Sequence, residues 1–213
     1  MTVKIAELKY ISENKFWQRD AEKLRGYFAN LYEEETLYHN HYDNGGSIYR
    51  MPLIQYKVIN NDLVIVGLNE GADLVKKEFL KHKEIRIGDK ILKNFETKLE
   101  IRNEVMKVEE GLYTYKFLSP WLPINQKNKK RYIQGELDLD KVLRNNLLSN
   151  FKGLGIEVKN RILVKGSYTE KEIDVKNKKM IGFLGEFTTN VKMPNLISIG
   201  RRRAVGFGVV REV

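Results

Sequence analysis

Arg50-Met51-Pro52-Leu53-Ile54-Gln55-Tyr56-Lys57-Val58, followed after Asn60-Asn61-Asp62 by Leu63-Val64-Ile65-Val66-Gly67-Leu68, is the stretch on which the fold turns. Both runs are rich in β-branched and aromatic residues, and the short polar side chains between them suit a tight hairpin turn. Upstream, residues 3–11 begin by alternating apolar and polar positions, as a half-buried strand does. A helix follows. Asn14 is a plausible N-cap, and Trp17, Ala21, Leu24, Phe28 and Leu31 recur at steps of four and three, with Arg19, Lys23 and Arg25 facing out. Downstream of the hairpin, a second helix starts near Gly71 and runs to about Leu80 with Leu74, Val75 and Phe79 inward; strand-like sequence resumes at 85–87 and 91–101. The order is β-α-β-β-α-β, the split βαβ of a ferredoxin-like or RNA-recognition-motif-like α+β fold, whose antiparallel sheet carries its helices on one face.

A boundary near Glu109-Glu110-Gly111 divides the chain into residues 1–110 and residues 111–213. Beyond it, Leu112 to Leu118 reads as a strand, and Leu139 to Leu154 as an amphipathic helix capped by Asp138 or Asp140 and ended by Gly153. Residues 156–190 read as two or three strands with lysine-rich turns, and Arg201 to Val210 as the last strand. The β-α-β-β half of a second ferredoxin-like domain is therefore visible. Its second helix is not, because Val191 to Ile199 is short and contains Pro194, so this copy is expected to be abbreviated. If that segment is a loop, its Lys192 is free to contact a polyanion.

At 213 residues, with 42% hydrophobic residues, the chain can build substantial cores. Lysine and arginine number 38 against 28 acidic residues, a formal net charge of +10, which favours a polyanionic partner, with nucleic acid first among the candidates. A merely lysine-rich solvated surface would give the same number. There is no cysteine, which excludes disulfides, thiolate nucleophiles and cysteine zinc sites. The first seven residues lack the apolar region of a signal peptide, and no apolar run approaches the ~20 residues of a membrane span, so the expected setting is the cytoplasm with no membrane partner.

Two of the three histidines, His39 and His41, lie one residue apart in Leu37-Tyr38-His39-Asn40-His41-Tyr42. Imidazole titrates near neutrality, so such a pair can take and give protons without a metal or cofactor. The same spacing fits half of a metal site, with Asp43 as a further ligand, or a polar loop beside Asn40 and Asn44. His82, between Lys81 and Lys83 at the end of the second helix, reads as a C-terminal cap or surface residue. In Gly200-Arg201-Arg202-Arg203-Ala204-Val205-Gly206-Phe207-Gly208, three arginines adjoin glycines whose backbone can approach a phosphate, or which only mark a bulge in a strand. Lys127-Asn128-Lys129-Lys130-Arg131-Tyr132, in an apparent loop, is a second basic cluster, suited to backbone phosphates or simply solvated.

These segments together resemble the Cas6 family of CRISPR-associated endoribonucleases, which cut repeat RNA into guide RNAs, and particularly its b branch. The resemblance rests on Tyr38-His39-Asn40-His41 followed by Ser47 to Lys57, on Val64-Ile65-Val66-Gly67, and on Gly182-Phe183-Leu184-Gly185 with Gly200 to Gly208. It implies two tandem ferredoxin-like domains, the first carrying the histidine site and the second the glycine-rich loop. Carried over position by position, it makes His39 and His41 the catalytic candidates and Tyr49 a helper at the scissile phosphate.

The chemistry so implied is specific. One imidazole takes the proton of a ribose 2′-hydroxyl, which attacks the adjacent phosphate in line, and the other protonates the departing 5′ oxygen, leaving a 2′,3′-cyclic phosphate and a 5′-hydroxyl. No metal or cofactor is required. The expected partner is CRISPR repeat RNA, anchored by Lys127, Lys129, Lys130, Arg131, Gly200, Arg201, Arg202, Arg203, Gly206 and Gly208, with effector-complex subunits and a second copy of the chain as further candidates. The alternatives are a guide-RNA-binding subunit that does not cut, which the same fold and glycine-rich end would serve, and a ferredoxin-like module that binds only protein.

Overall fold

A computed structural model of the chain describes residues 1–39, 51–175 and 178–213. Two compact units divide it, one made of Thr2–Glu104 with Ala204–Gly206, the other of Met1, Val105–Arg203 and Phe207–Val213.

The first unit contains β1 (Thr2–Ile11), α1 (Gln18–Leu31), the single turn α2 (Thr36–His39), β2 (Ile54–Ile59), β3 (Asp62–Leu68), α3 (Glu70–Lys77), β4 (Ile85–Ile87), β5 (Lys90–Leu92) and β6 (Glu96–Val105). Its sheet has the order β2-β3-β1-β6, that of a split βαβ, and β4 and β5 form a separate hairpin between α3 and β6. The central hairpin closes on Asn60 and Asn61, both left-handed with φ of 52° and 69°. Two consecutive positive-φ residues make a turn whose twist matches the strands, and asparagine tolerates that conformation better than most side chains. Leu8, Ile65 and Tyr56 stand opposite one another across three strands, and Phe28 of α1 packs its ring 5.9 Å from that of Tyr56. Ala21, Leu24 and Phe28 form the buried stripe of α1, whereas Trp17 and Leu31 are exposed. The helix begins later than Asn14 suggests, because Asp20 reaches back to accept the Trp17 N–H at 2.9 Å. After Val75 of α3 the next inward residue is Glu78, immediately beyond the helix, and not Phe79, which is exposed. Ala204–Gly206 completes this unit: Gln18 Nε2 donates to the Val205 carbonyl at 2.7 Å, and a Cβ on Gly206 would stand 3.0 Å from the Tyr56 carbonyl oxygen.

The second unit holds β7 (Lys107–Phe117), α4 (Lys129–Ile133), α5 (Leu139–Gly153), β8 (Val164–Val175), β9 (Lys178–Lys192) and β10 (Val210–Glu212). Its sheet order, β10-β7-β9-β8, repeats that of the first unit. The Glu109-Glu110-Gly111 stretch lies inside β7, where the pairing with β9 shifts register between Val108 and Tyr113. Asp138 caps α5 by accepting the Lys141 N–H at 2.9 Å, and the residue in left-handed conformation after its end is Gly155, not Gly153. Leu143, Leu147 and Phe151 of α5 are buried.

In place of a second helix, residues 193–209 form a looped segment with the short 3₁₀ turn Arg203–Val205. The last strand is therefore Val210–Glu212, shorter than the 201–210 strand expected. The segment is tied back by its own backbone: Leu196 N–H to Val210 O at 2.8 Å, Ile199 N–H to Gly208 O at 2.8 Å, and Gly208 N–H to Pro120 O at 2.9 Å. Pro194 and the left-handed Leu196 and Arg202 are incompatible with a continuous helix there.

Candidate active site and nucleic-acid interface

His39 ends the one-turn helix α2, with its ring partly exposed and Nε2 2.9 Å from the Glu33 carbonyl. Its own carbonyl accepts from an Arg25 Nη2 of α1. A single turn of helix closes too few hydrogen bonds to persist unaided, so packing must place it. Tyr38, one residue before, is buried, its ring 4.6 Å from Tyr32 and 6.0 Å from Phe28, both stacked. Its carbonyl accepts from the Tyr56 hydroxyl at 3.2 Å, and its hydroxyl donates to Glu78 Oε1 at 2.9 Å. His41 and Tyr49 lie outside the described residues, as does Asp43, so of the alternative metal-ligand set only His39 is described.

Glu78 is 2% exposed. Its Oε2 accepts from Tyr32 at 2.8 Å and lies 2.5 Å from His82 Nε2, and Lys81 Nζ stands 3.7 Å from Oε1. Burial pushes this carboxyl up, but the hydrogen bonds from His82, Tyr32 and Tyr38 outweigh it and hold the group below its ordinary value. The Tyr38 hydroxyl is pushed up by its burial and then by the Glu78 charge, so it stays a donor at all relevant pH. His82 is correspondingly neither a helix cap nor a surface residue: its side chain is 7% exposed and its ring meets Phe28 edge-on at 5.4 Å. The sequence signal for this cluster was the Glu78-x-x-x-His82 spacing, which pairs two side chains on a helix; here the two meet in the turn after α3, where Leu80 is left-handed with φ of 59°.

The three arginines of the C-terminal turn do different things. Arg201 is exposed and its Nη1 donates to the Ile124 carbonyl at 2.5 Å. Arg202, with φ of 56°, lays its guanidinium 5.8 Å from the Phe207 ring centre. Arg203 turns inward to the Asn150 side-chain oxygen, and burial lowers its pKa. Asn150 in turn donates to Ser198 O at 3.0 Å, which makes Arg203 part of the packing under the turn. Gly200 lies flat on Trp121, since a Cβ there would come within 2.7 Å of the indole, and Gly208, with φ of 64°, would drive a Cβ to 2.0 Å from the Ile199 carbonyl oxygen. The Gly208 N–H is spent on Pro120, so this glycine serves the turn and offers no donor to a phosphate.

Lys127, Lys129, Lys130 and Arg131 are exposed on a turn and the short helix α4, not on a loop. Asn125 organises them: its Oδ1 accepts the N–H groups of Lys127 and Asn128 at 2.8 and 3.1 Å. Because Arg201 is tied to the neighbouring Ile124, the two basic clusters of the sequence adjoin one another in this unit. Lys192 does not join them. Its ammonium bonds both oxygens of Glu212 at 2.8 and 2.7 Å and stands 4.5 Å from the Tyr113 ring centre. Among the described residues, no helix is long and apolar enough to cross a membrane.

The Cas6b N-terminal domain matches residues 1–105 and the Cas6b C-terminal domain matches residues 107–213. The chain belongs to the Cas6b family. A crystal structure of Cas6b superimposes with a TM-score of 0.92 at 32% identity, covering 100% of both chains. A second crystal structure, of the CRISPR RNA processing endoribonuclease Cas6b, gives 0.79 at 28% identity, again over 100% of both. Among proteins known by sequence, MJ0978 of Methanocaldococcus jannaschii is 33% identical over 142 residues, 63% of this chain and 95% of that protein. The tandem ferredoxin-like architecture is thus that of Cas6b.

Proposed function

We propose that this chain is the endoribonuclease that processes CRISPR repeat RNA into guide RNAs, and that it cuts without a metal ion. The match to both Cas6b domains carries the reading, and the basic surface of Arg201 and residues 127–131 supports an RNA partner. His39 and His41 act as the proton-transfer pair on the 2′-hydroxyl and the leaving 5′ oxygen, and Tyr49 assists at the phosphate, so the products carry 2′,3′-cyclic phosphate and 5′-hydroxyl ends. The reaction belongs in the cytoplasm. Effector-complex subunits and a second copy of the chain are further partners to be sought by size-exclusion chromatography with and without RNA.

The test is cleavage of end-labelled repeat RNA in excess EDTA by the wild-type chain and by the His39→Ala, His41→Ala double variant, scoring the end groups. Cyclic-phosphate product made by the first and lost in the second supports the reading. Tight binding without cutting by either would replace it with a guide-RNA-holding subunit. A deoxyribose just upstream of the cut is expected to abolish cleavage and leave binding intact, since the nucleophile is then missing.

A further inference from the structure

The tyrosine cluster around Glu78 holds more polar chemistry than packing requires. A buried carboxylate is expensive to desolvate, and an apolar residue of similar size would fill the same space at less cost. Here its oxygens collect donors from three places in the chain: Tyr32 at the C-terminal end of α1, Tyr38 in α2, and His82 beyond α3. Tyr38 and His39 are adjacent on a helix of one turn, so whatever fixes Tyr38 fixes the backbone that carries the His39 imidazole. Tyr38 is held at both ends, its hydroxyl on Glu78 and its carbonyl under Tyr56.

We infer that Glu78, with His82 as its donor, is the positioning residue of the reaction: it locks the turn Thr36–His39 against α1 and α3 and so sets where His39 meets the RNA. The inference rests on the catalytic reading of His39. Glu78 touches no substrate and transfers no proton to it. It acts only through the placement of the turn, and displacement of about 1 Å in a reacting group is worth on the order of 10²-fold in rate.

The experiment measures single-turnover cleavage of repeat RNA at saturating enzyme, together with RNA affinity and thermal unfolding, for Glu78→Gln, Tyr38→Phe, His39→Ala and the double variant His39→Ala, Glu78→Gln. Glutamine keeps the shape but presents an amide donor to a ring of donors. Glu78→Gln is expected to lower the rate at saturation by about 10- to 10²-fold with affinity unchanged, and Tyr38→Phe to lower it less. The decisive number is the double variant, which should be no slower than His39→Ala alone, because Glu78 has nothing left to position. Multiplying rate losses would overturn the inference, as would a Glu78→Gln rate equal to wild type while His39→Ala is inactive. Should Glu78→Gln unfold, the Tyr38→Phe rate and its double variant with His39→Ala carry the same decision. Should His39→Ala cut at the wild-type rate, the catalytic reading itself has failed and the positioning role falls with it.

Discussion

Residues of one type and neighbouring number do unlike work in this chain, and the arginines of the C-terminal turn show it most plainly. Arg201 points to solvent beside the Ile124 carbonyl, whereas Arg203 is turned into the structure against Asn150. Arg201→Ala is therefore expected to weaken RNA binding with little change in Tm. Arg203→Ala should instead destabilise by about 1–3 kcal/mol through the unpaired Asn150, seen as a lower urea midpoint, while the salt dependence of RNA binding stays as in the wild type. Nothing in the run Arg201-Arg202-Arg203 distinguishes them in advance, since a left-handed Arg202 breaks the alternation a strand would impose. The pairing of His39 with His41 is visible in the sequence as spacing alone. That His82 is a buried partner of Glu78 is not, because its neighbours Lys81 and Lys83 suggest a surface.

Elements were read well where a local period governs them and poorly where a distant contact does. The β2–β3 hairpin and its Asn60-Asn61 turn followed from β-branched runs and turn residues, and α1 and α5 from their apolar stripes. The C-terminal turn could not be recognised this way, because its shape comes from Gly208 accepting from Ile199 and donating to Pro120. Gly208→Ala is expected to destabilise by at least about 2 kcal/mol, as a Cβ meets the Ile199 carbonyl in a left-handed backbone, and denaturant unfolding will measure it. β6 lies beside β1 in the sheet, and the buried Glu7 of β1 pairs with the half-buried Arg102 of β6 at 2.9 Å and with Lys9 of its own strand at 3.0 Å. Burial works against the Glu7 carboxylate, but Lys9 and Arg102 prevail and hold its pKa below the ordinary 4.5. The folded state thus binds this proton less readily than the unfolded chain. Its stabilisation is complete above the unfolded value and lost as pH falls through the lower folded one. The stability gap between wild type and Glu7→Gln, about 1–3 kcal/mol at neutral pH, should close on acidification below 4.5, as equilibrium unfolding against pH will report.

For the molecule as a whole, a net charge of +10 said polyanion but not where it would bind. Residues 127–131 and Arg201 adjoin, so replacing Lys127, Lys129 and Lys130 together by alanine should lower the slope of log affinity against log salt by up to about 2, at roughly 0.7 per single-strand phosphate contact. Fluorescence anisotropy at several salt concentrations measures it, and an unchanged slope would remove this cluster from the interface. By itself the sequence determined the α+β class, the β-α-β-β-α-β order of the first half, the missing second helix of the second copy and the positive charge. Each of these is written in local period, turn chemistry or composition, which act over a few residues. Only the tertiary structure decided which arginine faces out, that Lys192 is taken by Glu212, and that Tyr32, Tyr38, Glu78 and His82 converge beneath the turn that carries His39. Those outcomes depend on side chains dozens of residues apart competing for the same buried space, and no window of sequence contains that competition.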